Sequence, residues 1–287
     1  MSSLAIGPPF TIDGPSPVTP QYDLLAAAQI LPPSTDPHWM IGDDVRAFST
    51  DLPELWSPCQ EGSTADIMDT GGPTLIPRFG PFVAYLPATC STFDSRPDDE
   101  FRRRLMAAFE AKEGYAVAKQ LASGDGNPLN PFLGDDQADI LGGGVPVGYI
   151  EALSLLEQAI GATAAGGMIH ADPATATAWA SYALIRPDGV GSSAVLRTIL
   201  GTPVAAAGGY TGVQPQGEAA PGATTGWAFA SGPVAIRRDT AEIVAGSLKE
   251  SLDRHVNEVT ERAQRNYLVV WDTALQAAVL VNRAVTN

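Results

Sequence analysis

The sequence predicts an α+β chain. Three observations carry that prediction. The stretch from about Ser95 to Ser123 has the periodicity and flanking signals of one long helix. Short apolar, strand-like runs lie on both sides of it, without the regular strand–helix alternation of a parallel fold. The first 38 residues hold eight prolines, which forbid regular structure over most of their length.

Taken in order, residues 1–38 read as an extended arm, with a disordered tail as the alternative. A short helix fits at 22–30, where Asp23 stands near the start. Residues 39–93 read as β-rich and irregular. Apolar runs at 39–41, 45–48 and 82–86 flank a long excursion that turns at Gly71-Gly72-Pro73, the pattern of a long hairpin. Ser95 and Asp98 form a capping signal, Pro97 suits a first helical turn, and Asp98, Asp99 and Glu100 complement the helix dipole. Phe101, Leu105, Ala108, Phe109, Lys112, Tyr115, Ala116 and Lys119 follow at helical spacing up to Gly124. Beyond Gly142-Gly143-Gly144, a second helix is expected at 146–160. A third, opened by Asp172-Pro173, is expected to run to 183. Strands are expected at 194–199, 204–207 and 228–237. The chain closes with two more, 267–271 and 277–281, joined by a tight turn.

Composition narrows the function classes. Charged residues are 17% of the 287, while Gly 29 and Pro 24 supply abundant chain breakers. Such a chain has little solvated surface of its own and is suited to being covered by partners. The net charge is −15. Residues 1–95 hold 11 acidic residues against two basic ones, Arg46 and Arg78, for a net of −9. Residues 96–287 hold 21 against 15, for a net of −6. That balance opposes phosphate binding, so any contact with DNA is expected to be weak and without sequence specificity. Cys59 and Cys90 make no disulfide framework. The opening MSSLAIGPPF lacks the basic and apolar regions of a signal peptide. No apolar run approaches the length of a membrane span.

No enzyme class is carried by the motifs. His38, His170 and His255 lie in unrelated contexts, and there is no G-x-S-x-G elbow. His170 sits in an apolar run and reads as structural. The pairs Asp43-Asp44 and Asp135-Asp136 read as solvated surface rather than metal ligands, and no metal or cofactor is expected. The glycine-rich LGGGVPVG at 141–148 lacks the Lys-Ser/Thr of a phosphate loop, and Pro146 removes an amide from it.

The segments PFVAYLPATCSTFDSRPDDEFRRRLMAAFEAKEGYAVAKQLASG, IHADPATATAWASYALIRPDGVGSSAVLRTILGTPVAAAGGYTG and LDRHVNEVTERAQRNYLVVWDTALQAAVLVNRA, in that order behind a proline-rich arm, resemble the tailed-bacteriophage major capsid proteins of actinobacterial type. The fold implied is the Hong Kong ninety-seven type, shared with encapsulin nanocompartments. The resemblance implies an arm at 1–38, an E-loop hairpin at 39–79, and a peripheral domain with a long spine helix at 80–140. An axial domain at 141–235 and a return to the peripheral domain at 236–287 complete it. It also implies a virion subunit rather than an enzyme. Many copies, as pentamers and hexamers, would assemble in the host cytoplasm into an icosahedral head around double-stranded DNA. Separate scaffold, portal or decoration proteins and no membrane complete the implied partners. An encapsulin-like compartment is the alternative, and a hydrolase of unfamiliar type the more remote one. The sequence departs from the family in two respects. Nothing in it has the charged, helical character of the scaffolding segment some members carry. Its only lysines, Lys112, Lys119 and Lys249, lie outside the E-loop, where some members form a covalent cross-link.

Candidate contact residues follow from charge. Between Arg46 and Arg78 there is no Lys or Arg, while Asp51, Glu54, Glu61, Asp66 and Asp69 are all acidic. Arg102, Arg103 and Arg104 lie in the first turns of the long helix. Docking of the acidic hairpin, through Asp66 and Asp69, onto some of these arginines in a neighbouring subunit is one expectation. Pairing of the arginines with acids of their own subunit is the other. Successive helical residues point about 100° apart, so at most two of the three can face one partner.

Overall fold

In the computed structural model, residues 17–32, 37–46, 75–91, 99–163, 165–189, 194–245, 252–253 and 258–284 are described. The arm's helix is a single turn, α1 (Leu24–Ala27), because Asp23 caps it by accepting from the Ala26 N–H at 3.1 Å. A two-residue strand follows, β1 (Gln29–Ile30). The run at 39–41 was expected to be a strand. It is instead part of a 3-10 helix, Pro37–Ile41, for which Pro37 supplies the right φ at the first position. Gly42, at φ 101°, ends the turn and feeds β2 (Asp43–Arg46). β2 pairs antiparallel with β3 (Leu75–Phe79), so the two ends of the expected hairpin do meet. Its tip, 47–74 with Asp66 and Asp69, lies outside the described residues, as does the Ser95 capping signal.

After β4 (Phe82–Ser91) comes the long helix, α2 (Asp99–Ser123), of 25 residues and so about 38 Å. It ends where the sequence placed its end: Gly124 takes φ 72°. Its buried stripe shares Leu105 and Phe109 with the expected series but departs from it further along. Leu105, Phe109, Glu113, Val117 and Leu121 face inward, whereas Lys112 and Tyr115 face out. Glu113, in the middle of this stripe, interrupts its apolar pattern.

The middle of the chain runs through β5 (Asp139–Ile140), a 3-10 turn over Leu141–Gly144, α3 (Tyr149–Thr163), β6 (Met168–Ala171) and α4 (Pro173–Ser181). The second helix starts three residues later than expected. Val147 is bonded to the closing strand in both directions, Val147 N–H to Leu280 O and Asn282 N–H to Val147 O. Asp172 caps α4 as expected, accepting from the Thr175 N–H at 2.8 Å. β7 (Ile185–Asp188), β8 (Val195–Thr198), β9 (Pro203–Ala206), β10 (Thr225–Ser231), β11 (Val234–Arg238), β12 (Glu242–Ala245), β13 (Leu252–Asp253), β14 (Glu258–Trp271) and β15 (Gln276–Asn282) complete the chain.

These strands form two main sheets. One runs β1-β11-β14-β12, with β4 and β13 also paired to the long β14. The other runs β5-β15-β10-β6-β9-β8-β7. The chain crosses between them three times, from β4 to β5, from β10 to β11 and from β14 to β15, and the last two crossings correct the sequence reading. The run at 228–237 was expected to be one strand, but Gly232-Pro233 splits it into β10 in the second sheet and β11 in the first. The closing strands are joined by a tight turn but belong to different sheets, β14 to the first and β15 to the second. These last two crossings lie side by side and are stitched together, Gly232 N–H to Leu275 O at 3.1 Å and Asp272 N–H to Pro233 O at 3.3 Å. A Cβ at Gly232 would stand 2.5 Å from the Asp272 carbonyl, so only glycine fits there.

Two cores result. α2 covers the first sheet through Leu105, Phe109 and Leu121 against Tyr267, Val269 and Trp271. The same core continues onto the second sheet through Tyr210, Trp227 and Phe229. The other face of the second sheet is covered by α3 and α4, with Leu153, Leu156 and Trp179 packed on Val204, Val279 and Val281.

Candidate assembly interface

The arginine run does not act as one surface. Arg102 turns toward its own sheet and forks onto Glu261 of β14, Nη2 to Oε1 at 2.8 Å and Nε to Oε2 at 3.1 Å. The Glu261 side chain is 3% exposed, so this pair is an internal brace. Arg103 is exposed and pairs with Glu100 one turn earlier. Arg103, Arg104 and Lys112 rim a groove of about 670 Å³ between α2 and β4. Its floor is apolar, formed by Leu86, Ala88, Phe101, Leu105 and Ala108. Asp66 and Asp69 are not among the described residues, so their distance from this rim is not part of the geometry.

A second feature was missed in the sequence. Glu113, buried in the middle of α2, accepts hydrogen bonds from Arg265 Nη1 at 2.6 Å, Arg238 Nη1 at 3.1 Å and the Tyr267 hydroxyl. Asp23 of the arm is buried beside it, close against Gly114, and burial raises its carboxyl above the ordinary range. One buried carboxylate thus ties the long helix, β11 and β14 together. The only local trace of this in the sequence is Glu113-Gly114 itself, a polar residue and a glycine inside an otherwise favourable helix.

His170 is fully buried on β6. Its Nε2 lies 2.8 Å from Ser231 Oγ and its Nδ1 3.0 Å from the Tyr210 hydroxyl. Ser231 Oγ donates to the Gly232 carbonyl, which leaves it to accept from Nε2–H, and Nδ1 then accepts from Tyr210. Burial pushes this imidazole down to about 3. The residue therefore pins β6, β10 and the 3-10 turn Gly208–Tyr210 as a neutral group. Among the described residues no cluster of three or more His, Cys, Asp or Glu is placed to hold a metal ion, and no helix is long and apolar enough to cross a membrane.

No protein-family model matches this chain, and no curated protein matches its sequence. Solved structures do match. The capsid of the native GTA particle shares 13% identity at a TM-score of 0.57, over 98% of this chain and 96% of that one. The SrpI encapsulin of Synechococcus elongatus PCC 7942 shares 10% at 0.54, over 98% and 94%. This chain has the Hong Kong ninety-seven-type capsid fold. A protein of Gordonia phage Cozz, at 10% identity and a TM-score of 0.55 over 97% and 91%, is similar in the same way.

Proposed function

We propose that this chain is the major capsid protein of a tailed bacteriophage, a shell subunit that closes with copies of itself around double-stranded DNA. The observation that carries the reading is the extent of the fold likeness, which covers 98% of this chain and 96% of the capsid chain of the native GTA particle. The surface agrees with it. Val83, Tyr85, Tyr115, Ile150, Tyr182, Ile199 and Leu200 are large apolar residues left exposed on a chain with few charges. Such patches become buried when subunits meet.

In this reading the arm is 1–38, the E-loop 39–79, the peripheral domain 80–140 together with the return at 236–287, and the axial domain 141–235. Two strands of the stretches assigned to the peripheral domain, β5 and β15, pair within the seven-stranded sheet. The axial lobe makes the ring contacts of pentamers and hexamers. The acidic E-loop, through Asp66 and Asp69, docks on a neighbouring subunit's surface that includes some of Arg102, Arg103 and Arg104; within the subunit Arg102 pairs with Glu261 and Arg103 with Glu100. The shell forms in the host cytoplasm, with scaffold, portal or decoration proteins as separate chains, and holds DNA without reading its sequence. No step of this role calls for catalysis.

An encapsulin-like compartment is the second reading, favoured by the likeness to the SrpI encapsulin. Electron microscopy of the purified protein tests both. Closed shells or rings are expected, and a monodisperse monomer at high concentration refutes assembly. Shells from infected cells that hold an enzyme instead of DNA overturn the phage reading in favour of the compartment.

A further inference from the structure

The hairpin of β2 and β3 joins the body through two glycines that lie side by side. Gly42 precedes β2, and Gly80-Pro81 separates β3 from β4. Among the described residues β2 and β3 pair only with each other, whereas β4 belongs to the six-stranded sheet. A Cβ at Gly42 would stand 2.5 Å from the Phe79 carbonyl oxygen and 3.4 Å from the Gly80 Cα, and Gly42 holds φ 101°. Each joint is thus a residue without a side chain, packed against the other. A two-stranded hairpin attached through such joints can swing as a unit without breaking either sheet.

The loop after α2 closes that freedom. Asn130, only 6% exposed, grips both backbone groups of Gly80: its Oδ1 accepts from the Gly80 N–H at 2.6 Å and its Nδ2 donates to the Gly80 carbonyl at 2.7 Å. A carboxamide is the side chain that can accept and donate at once, as a neighbouring strand's peptide would. Asn127 Nδ2 adds a bond to the Pro81 carbonyl at 3.3 Å. The loop is in turn fixed to the last turn of α2 by the buried Gln120, whose Oε1 accepts from the Asn127 N–H at 2.8 Å and whose Nε2 donates to the Asn127 carbonyl at 3.1 Å. On the hairpin side, Phe79 is buried edge-on against Trp271, ring centroids 6.5 Å apart, and Arg78 Nη2 donates to the Ile41 carbonyl at 2.8 Å.

We propose that Asn130 is the positioning residue of this hairpin: it latches the Gly42–Gly80 joint, so that β2 and β3 project from the free subunit at one fixed angle. A partner that meets the hairpin then finds its direction set in advance, and docking avoids the cost of ordering the joint. The latch is a property of the single subunit. It goes beyond the shell reading and does not depend on it.

The test uses the full-length chain, unassembled, in a Cys59→Ser/Cys90→Ser background. Spin labels at Arg46→Cys on β2 and Thr240→Cys on the body report the hairpin's angle as a distance distribution. With Asn130 in place the distribution should be single and narrow. Asn130→Ala should make it about twofold wider or split it in two. Asn130→Asp keeps an acceptor for the Gly80 N–H but offers no donor to the carbonyl, and should widen it less; it also serves if the alanine variant does not fold. Leu133→Ala separates positioning from plain stability. It removes a fully buried side chain from the same loop, so it should lower the urea midpoint yet leave the distribution narrow. A broad distribution in the parent, or an unchanged one in both Asn130 variants, would overturn the proposal. Equal widening by Leu133→Ala would overturn it too, because any loosening of the loop would then act as Asn130→Ala does.

Discussion

Lowering the pH from 7 to 5 should destabilise the subunit through His170, and His170→Gln should remove that part of the acid sensitivity. The native imidazole is buried and neutral, with Nε2–H given to Ser231 and Nδ1 accepting from Tyr210. Burial pushes its pKa from the ordinary 6.5 down to about 3. Between those values the unfolded chain binds a proton that the native chain refuses. The stability due to the neutral imidazole is complete above 6.5 and is lost as the pH falls toward 3. Each pH unit inside that window costs about 1.4 kcal/mol, so pH 5 costs about 2 kcal/mol and the whole window about 5 kcal/mol. For a chain of this size, 2 kcal/mol corresponds to a fall in Tm of about 5 °C. Glutamine can give an N–H to Ser231 and accept from Tyr210 but does not titrate. The assay is urea unfolding of unassembled subunits, followed by tryptophan fluorescence at pH 7 and pH 5, for both proteins. The loss on acidification should be about 2 kcal/mol smaller in His170→Gln. Carboxylates, including Asp23, titrate alike in both proteins and cancel in the comparison. An equal loss in the two would refute the argument, because it would mean that His170 takes up its proton in the native state.

Gly114→Ala should destabilise the chain by about 1–3 kcal/mol in denaturant unfolding, since the added Cβ overlaps Asp23; a gain of the roughly 1 kcal/mol expected from helix propensity alone would show that the arm does not need this close approach. Arg265→Met should cost about 3–5 kcal/mol by the same assay, because it leaves Glu113 buried with one charged partner fewer; a loss below about 1 kcal/mol would place Glu113 in a more solvated setting than its 6% exposure implies. Denaturing electrophoresis of mature particles should show one main band near 29.9 kDa, since residues 1–111 contain no lysine to supply an amine for cross-linking through the E-loop; a covalent ladder contradicts this. Asp66→Lys with Asp69→Lys should impair shell formation and Arg104→Glu should partly restore it, each exposed pair contributing about 0.2–1 kcal/mol per subunit; normal assembly of the double variant removes any important role for that contact.

Local signals were legible because each acts within a few residues. Gly124 ends the spine helix where a left-handed residue is needed, and Asp172-Pro173 opens α4 by a cap and a fixed φ, whatever lies elsewhere. The apolar run around His170 pointed to a structural histidine for the same reason. The ordered succession of arm, hairpin, long helix and closing strands was enough to point to the capsid fold. Other features were settled only by groups far apart in the chain. The strand expected at 228–237 breaks because Gly232 must pass against the backbone of Asp272, and the closing strands part because the crossing from β14 to β15 runs beside the one from β10 to β11. Arg102 finds Glu261 across 159 residues, which no charge count could anticipate. Glu113 looks solvent-facing in sequence because a carboxylate interrupts an apolar stripe. It is buried because Arg238, Arg265 and Tyr267 converge on it from two strands. The sequence by itself determined where elements start, stop and expose their charge, since caps, turns and periodicity are short-range. The tertiary structure decided which sheet each strand joins and which ion pairs form, since those depend on partners that only the folded chain brings within reach.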